Sequence, residues 1–234
     1  MRVLAWAFVL LAACGRIDFD AALPDGIPGL LVRYPMDDDP STGHVHASVE
    51  AYDGTCRACP LATAGHADGG YAFDGTAFIT LPAASTTLLG TMPYTVTVWV
   101  SPGTSTSQAT VTEKAHAPGD QQNVFKLSIL PGGIPSFETC SQVDGIDIFD
   151  PVNVDLRGSW HCLAEAWDGA MKRLYIDGAF VDSTAATLLD SSLPAQIGAD
   201  LDNNVISDFY YGSIDDLRFY NRALDDSEIA KICQ

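Results

Sequence analysis

The chain has 234 residues, of which 47% are hydrophobic and only 18% are charged. This composition excludes a disordered chain, because enough apolar side chains are present to bury a core. The formal charge of −18, from 12 basic and 30 acidic side chains, argues against a nucleic-acid partner, since phosphate binding needs clustered Lys and Arg. The length fits one all-β sandwich or barrel as well as two small domains.

The first residues predict export and a lipid anchor. Arg2 is followed by an apolar run over residues 3–13, which is shorter than the roughly 20 residues that span a bilayer and is typical of a secretory signal. The run ends in Leu-Ala-Ala before Cys14, a sequence that resembles the bacterial lipobox, whose cysteine becomes an acylated amino terminus. The alternative is an ordinary signal peptide with an incidental cysteine.

The acylated reading divides the chain into three parts. We predict a signal peptide over residues 1–13, a lipid-anchored tether over 14–29 and a folded domain over 30–234. Two or more acyl chains on Cys14 give stable attachment, because each buried methylene contributes about 0.8 kcal/mol. The expected location is a bacterial membrane, with the domain facing the periplasm or the cell surface.

From residue 30 onward the sequence predicts β-strands joined by turns. Short runs rich in β-branched and aromatic residues are broken by Gly, Pro, Asp and Asn, which is the pattern of an all-β chain. The alternating run over residues 94–100 places four apolar side chains on one face of a strand. These are Tyr94, Val96, Val98 and Val100.

A meander and a helix are predicted in the second half of the chain. The strand candidates of the meander are residues 160–167, 171–176 and 179–183. Asp-Gly pairs separate them, at 168–169 and 177–178, and such pairs favour tight turns with positive φ at both residues. Near the end, Asp225 and Glu228 have capping-box spacing, and Leu224 and Ile229 have staple spacing, so a short helix begins there.

Five cysteines remain after Cys14, and in an exported protein they can pair. Cys56 and Cys59 form a close pair that we interpret as a structural disulfide rather than a zinc half-site or a redox motif. Cys140 and Cys162 lie in neighbouring strand candidates and are the second expected pair. Cys233 is then left over, with pairing to Cys56 or Cys59 as the alternative.

The motifs, taken in order, resemble the laminin-G-like family of concanavalin A-like lectin/glucanase jelly-roll domains. The matching segments are residues 32–37, 71–79, 94–100, 160–169, 174–178 and 212–224. The resemblance implies an all-β fold, a two-sheet antiparallel β-sandwich of the concanavalin-like jelly-roll type with one short C-terminal helix. The chain departs from the family pattern between Asp37 and Gly70, where it carries the cysteine pair.

The resemblance also implies a structural calcium ion between Asp37 and Asp215. We expect calcium to raise the melting temperature of chelator-treated protein and Asp215→Ala to abolish the rise. A second acidic segment, residues 200–204, begins like a helix–loop–helix calcium loop. Val205 and Tyr211 stand where such a loop requires Gly and Glu, so that interpretation is rejected.

Related glucanases carry a Glu nucleophile, an Asp two residues later and a Glu acid/base three residues after that. Residues 145–150 have this frame, with Asp147 and Asp150 in place, but Gly145 stands at the nucleophile position. A glycine cannot attack an anomeric carbon. The sequence therefore argues against glycan hydrolysis.

Sugar binding normally uses exposed aromatic side chains with polar groups around them. Trp99, Trp160 and Trp167 fall inside the family's core motifs, so we expect them to be buried. Four aromatic residues near loops are the better ligand-binding candidates, namely Phe149, Phe209, Tyr210 and Tyr211.

These observations favour a lipid-anchored, non-catalytic module that binds carbohydrate or a glycosylated surface partner. The alternatives are a divergent glycan hydrolase that uses Asp147 and Asp150, and a purely structural envelope lipoprotein.

Overall fold

The computed structural model describes residues 26–234, except for residues 88, 120–121, 142–144, 150–152 and 190. The side chains of residues 50, 140–141 and 145–149 are likewise outside the description. The predicted signal peptide, Cys14, most of the predicted tether and Asp150 therefore lie outside the described residues.

Strands form most of the described chain. In chain order they are Leu30–Tyr34 (β1), His44–Val45 (β2), Gly54–Thr55 (β3), Leu61–Ala64 (β4), Gly69–Asp74 (β5), Ile79–Thr80 (β6), Tyr94–Pro102 (β7), Ala109–Ala115 (β8), Asn123–Leu130 (β9), Ile134–Ser141 (β10), Gly145–Phe149 (β11), His161–Trp167 (β12), Met171–Ile176 (β13), Ala179–Ala185 (β14), Ala195–Ile197 (β15), Asp200–Asp202 (β16), Val205–Ser207 (β17) and Tyr211–Tyr220 (β18). The helices are the single turn Ala83–Thr86 (α1) and Asp226–Ile232 (α2), with 3-10 turns at Pro40–Thr42 and Glu50–Tyr52.

Two antiparallel sheets form a sandwich, which confirms the predicted fold class. The first sheet has the order β14-β13-β12-β7-β18-β5-β4, with β1 also paired to β18. The second sheet has the order β11-β10-β9-β8-β15-β6-β3-β2. Strands β16 and β17 form a separate hairpin that packs against β8.

The main core lies between the two sheets. The predicted inward face of β7, with Tyr94, Val96, Val98 and Val100, is fully buried there. Trp99, between two of these residues, points to the opposite face of the first sheet and is also buried, as expected. There its ring stacks on that of His66, with ring centroids 3.5 Å apart.

The predicted meander is formed by β12, β13 and β14. Asp177 and Gly178 make the tight turn that the sequence predicted, with φ values of 51° and 76°. The turn at Asp168 differs, because only Gly169 of that pair has a positive φ. The Asp168 carboxylate instead accepts hydrogen bonds from the N–H groups of Ala170 and Met171, which makes a three-residue connection.

Helix α2 covers the outer face of the first sheet. Both hydrogen bonds of the predicted capping box between Asp225 and Glu228 are present. The residues at staple spacing, Leu224 and Ile229, are fully buried in a second apolar cluster. Ile27, in the last residues of the predicted tether, packs in the same cluster and is 3% exposed.

The disulfides confirm one predicted pair and correct the other. Cys56 bonds Cys59, as expected. Cys162 bonds Cys233 rather than Cys140. The predicted Cys140–Cys162 pair was wrong because β10 and β12 belong to different sheets, whereas α2 brings Cys233 onto the outer face of β12. Cys233 is therefore not the unpaired thiol that the sequence analysis expected.

Within the described residues, no helix has both the length and the apolar character needed to cross a membrane.

Candidate functional site

An open cleft of about 420 Å³ lies where three connections meet at one end of the sandwich. This volume is within the range of small-molecule sites, roughly 300–1,000 Å³. One wall is the β7–β8 connection, and the other is the segment that leads from β17 into β18. The lining residues are Gly75, Thr104, Ser105, Thr106, Ser107, Asp208, Phe209 and Tyr211.

Two of the predicted ligand-binding aromatics line this cleft. Tyr211 begins β18 and is 49% exposed. Phe209 is half-buried and packs edge-on against Phe78, with ring centroids 6.2 Å apart. The hydroxyl residues 104–107 face them across the cleft, so apolar rings and hydrogen-bonding groups converge on one open space.

The other two aromatic candidates do not line the cleft. Tyr210 is 0% exposed and packs edge-on against Phe73 in the main core, so its prediction as a ligand-binding residue was wrong. Tyr210 lies between Phe209 and Tyr211, just before β18, and its ring points into the core while the other two line the cleft. Phe149 ends β11, and its side chain lies outside the description.

Glycine shapes the floor of the cleft. A side chain on Gly103 would meet the Tyr211 ring at 2.4 Å, so glycine is what allows the ring to lie against the β7–β8 connection. The Gly103 N–H also donates to the Tyr211 carbonyl at 2.9 Å. Together these contacts fix the backbone beneath the exposed ring.

An acidic cluster adjoins the cleft and shares Asp208 with it. One carboxylate oxygen each from Asp200, Asp202 and Asp208 lies within 4.8 Å of the others. Asp200 and Asp202 are two apart in β16 and so share one face of the hairpin. We call Asp200, Asp202 and Asp208, with Glu113 and Glu138 of the sheet beneath them, the acidic cluster.

The second sheet supplies the floor of the acidic cluster. Phe125 and Leu127 of β9 point into the main core, so Lys126 between them points to the outer face. Glu113 and Glu138 are its cross-strand partners and lie on the same face. Lys126 Nζ donates to Asp200 and lies 3.7 Å from Glu138 and 3.5 Å from Asp208.

Burial shifts the pKa values of the ionisable groups in the acidic cluster. Burial raises the pKa of Glu113 well above its ordinary value, and the charge of Asp200 raises it further. Burial also raises the pKa values of Asp200, Asp202 and Glu138, although Lys126 partly opposes the effect. Burial alone would lower the pKa of Lys126, but the surrounding carboxylates raise it.

The acidic residues implied by the family resemblance lie elsewhere, at the β4–β5 hairpin. Asp215 Oδ2 accepts hydrogen bonds from the N–H groups of His66 and Ala67 at 2.9 and 3.2 Å. Asp37 Oδ1 accepts one from the Gly69 N–H at 2.8 Å. Burial raises the pKa of Asp215 to about 6. The fold thus brings Asp37 and Asp215 to one hairpin, where each holds the backbone with one oxygen.

The acidic cluster was not predicted from the sequence. Residues 200–204 lack the Gly and Glu of a helix–loop–helix calcium loop, and the segment is indeed a β-hairpin. The useful signal was the alternation of Asp200 and Asp202 before Asn203 and Asn204, which both adopt positive φ in the hairpin turn. Asp208 could be added only once the fold was known.

Comparison with known families identifies the chain's class. A family model described as the concanavalin A-like lectin/glucanases superfamily matches residues 73–230. The match covers more than half of the chain, so the protein belongs to this family. A search of curated proteins found no match.

Solved structures share the fold at low sequence identity. Domain 4 of AbnA, a GH43 extracellular arabinanase from Geobacillus stearothermophilus solved with arabinotriose, is 22% identical, with a TM-score of 0.66 over 88% of this chain and 98% of that one. The CBM40 of Ruminococcus gnavus IT-sialidase, bound to α2,3-sialyllactose, is 14% identical, with a TM-score of 0.60 over 70% and 96%. Trypanosoma rangeli sialidase is 12% identical, with a TM-score of 0.70 over 88% of this chain and 32% of that chain.

Proposed function

We propose that the protein is a carbohydrate-binding module whose ligand lies in the cleft between Tyr211, Phe209 and the hydroxyl residues 104–107. The observation that carries the proposal is the half-exposed Tyr211 ring, held in an open cleft opposite a row of hydroxyl groups. An aromatic face with a few polar groups around it is what a pyranose or furanose ring needs for stacking and hydrogen bonding.

Two related domains support a carbohydrate ligand. The arabinanase domain was solved with arabinotriose and the sialidase module with sialyllactose. These sugars differ in ring size and charge, so they support the class of ligand and serve as first probes. A free glycan and a glycosylated surface partner present the same chemistry to the cleft.

A glycan array tests the proposal, with arabinan and sialylated oligosaccharides included. The wild-type protein is compared with Tyr211→Ala and with Phe180→Ala. Phe180 is the matched control, because it is 50% exposed but lies on the edge strand β14 of the first sheet. We expect wild type and Phe180→Ala to bind the same glycans and Tyr211→Ala to lose them. Absence of any glycan signal from the wild type would contradict the proposal.

We propose that the module is non-catalytic, since Gly145 occupies the nucleophile position of the glucanase frame. Asp150 and the side chain of Asp147 lie outside the description, so the support comes from the sequence. A reducing-sugar release assay on every bound polysaccharide tests this. Release that Asp150→Asn abolishes would instead establish the divergent hydrolase.

We propose further that Cys14 anchors the module to a bacterial membrane, on the support of the apolar run and the lipobox-like Leu-Ala-Ala-Cys. Mass spectrometry of the amino terminus tests this. An acylated Cys14 is the expected result, and an unmodified amino terminus would contradict it. Membrane attachment without glycan binding would favour a purely structural envelope protein.

A further inference from the structure

The acidic cluster holds more carboxyl groups than the protein around it pairs with cationic side chains. Within the described residues, the carboxyl groups of Glu113, Glu138, Asp200, Asp202 and Asp208 surround the single ammonium group of Lys126. The Asp200 side chain is 0% exposed and that of Asp208 is 36% exposed. Buried ions need a compensating partner, because their desolvation costs several kcal/mol each. One ammonium group cannot supply it for five carboxyl groups.

We propose that Asp200, Asp202 and Asp208 bind a divalent cation, and that this cation is calcium. The proposal stands apart from the proposed function, because cation binding at these residues requires no glycan. It assigns to the β16–β17 hairpin a site that differs from the one implied at Asp37 and Asp215.

The spacing of the three carboxylates suits calcium. Ca²⁺ binds oxygen at about 2.3–2.6 Å, so two ligands of one ion lie up to roughly 5 Å apart. The three oxygens already lie within 4.8 Å of one another. Mg²⁺ binds at about 2.0–2.1 Å and demands near-octahedral geometry, which would limit every separation to about 4.2 Å. The upper limit of 4.8 Å on these separations is within the range that calcium accommodates.

Unpartnered buried oxygens provide an independent indication of a ligand. Glu113 is 0% exposed, and among the described residues neither of its carboxylate oxygens has a hydrogen-bond partner of normal geometry. The Leu201 N–H lies near the Glu113 carboxyl group and lowers its pKa only weakly. Oδ1 of Asp200 is also buried and has no hydrogen-bond partner in the described part of the chain. Buried polar atoms are normally satisfied, so the unpaired oxygens of Glu113 and Asp200 indicate a missing partner.

Lys126 and the cation have separate roles in this arrangement. Lys126 Nζ lies on the sheet side, between Asp200 and Glu138. Asp202 belongs to the hairpin, and Asp208 lies in the segment after it and lines the cleft. The ammonium group neutralises the floor of the acidic cluster, and calcium enters from the open side.

Calorimetric titration of calcium into the chelator-treated protein tests the site, with wild type, Asp202→Asn, Asp208→Asn and Asp182→Asn compared. Asp182 is the control, because it is an exposed aspartate on β14. We expect saturable binding to wild type and Asp182→Asn, and binding weaker by about tenfold or more in the two cluster variants, since affinity follows the number of charged ligands. Asp208→Asn keeps the test decisive if Asp202→Asn does not fold.

Melting temperatures distinguish a calcium ligand from a structural aspartate. For a ligand, the effect of the substitution changes sign when calcium is added. Without calcium, Asp202→Asn should melt at or above the wild-type temperature, because a repulsive charge is removed. With saturating calcium, it should melt below wild type. The proposal is overturned if wild type shows no saturable calcium binding, if both cluster variants bind like wild type, or if Asp215→Asn abolishes all binding while the cluster variants retain it.

Discussion

The β4–β5 hairpin and the β16–β17 hairpin both gather aspartates, but they use them differently. At the first, Asp37 and Asp215 accept hydrogen bonds from backbone N–H groups of the hairpin. At the second, Asp200 and Glu113 bury oxygens that have no hydrogen-bond partner among the described residues, and Lys126 forms an ion pair with Asp200. The two hairpins therefore differ in the donors around their carboxylates. An aspartate that accepts backbone hydrogen bonds is structural, whereas a buried carboxylate without donors lacks a ligand.

The family resemblance and the contact pattern therefore predict cation binding at different places. The resemblance implies Asp37 and Asp215, and the contacts favour the acidic cluster. Each of the following substitutions alters the residues at one of the two hairpins and leaves those at the other unchanged.

Replacing Lys126, whose ammonium group neutralises part of the acidic cluster, should have the largest effect on stability. Lys126→Met leaves the five carboxyl groups without an ammonium partner, and breaking a buried charge pair typically costs about 3–5 kcal/mol. We expect a loss of this size in urea unfolding with chelator present, and partial recovery with calcium. Lys231→Met, at the exposed end of α2, is the control and should change stability by less than about 0.5 kcal/mol. An equal loss with and without calcium would count against a cation at the acidic cluster.

The next effect concerns Asp216, which adjoins Asp215 but has charged partners. Its carboxylate binds Arg33 at 2.5 Å and Arg218 at 2.5 Å. Burial alone would raise the pKa of Asp216, but the two guanidinium groups lower it. Asn tolerates the φ of 50° at this position, so Asp216→Asn tests the charge alone. We expect a loss of about 2–3 kcal/mol at neutral pH.

The pH dependence of that loss has a definite sign. A lowered carboxyl pKa stabilises the folded protein above the ordinary aspartate pKa, and this contribution disappears as the pH falls through the lowered value. The difference between wild type and Asp216→Asn should therefore be constant near neutral pH and shrink below about pH 4. Unfolding curves at a series of pH values check this, and a gap that widens on acidification would refute the assignment.

A smaller effect is expected for Asp215→Asn. The amide retains one oxygen for the His66 and Ala67 N–H groups, so we expect a loss of about 1 kcal/mol. The comparison predicts that the calcium-induced rise in melting temperature persists in this variant. The family resemblance predicts that the rise disappears. Thermal melts with calcium and with chelator decide between the two.

The smallest expected effect is that of calcium on glycan binding, because Asp208 belongs to both the acidic cluster and the cleft. This prediction rests on the proposed function. A cation that fixes Asp208 should improve glycan binding by about fivefold, at the low end of typical coupling between sites. Titrations of the best-binding glycan with calcium and with chelator measure this. Asp208→Asn should bind glycan equally in both conditions, and a calcium effect that survives in this variant would place the coupling elsewhere.

The sequence predicted the sandwich well because its motifs are local and ordered. The alternation in β7, the Asp-Gly turn at 177–178 and the capping box of α2 all follow from a few neighbouring residues. The pairing of Cys162 with Cys233 did not follow, since it depends on how α2 docks across 71 residues of chain. Strand order across two sheets is not visible in local patterns.

The candidate site was predictable only in part for the same reason. Phe209 and Tyr211 were selected because they lie near a loop, and both line the cleft. Tyr210 was selected with them, although alternation along the strand sends it into the core. The acidic cluster joins Glu113, Lys126 and Glu138 of three strands with a hairpin that begins about 60–90 residues later in the sequence. Such a site becomes visible only when the fold is known.

The comparison between the two hairpins is tested most directly by anomalous scattering from crystals of the protein grown with calcium. The account predicts a peak within coordination distance of Asp200, Asp202 and Asp208. A peak at Asp37 and Asp215 alone, or no peak at either hairpin, would contradict it.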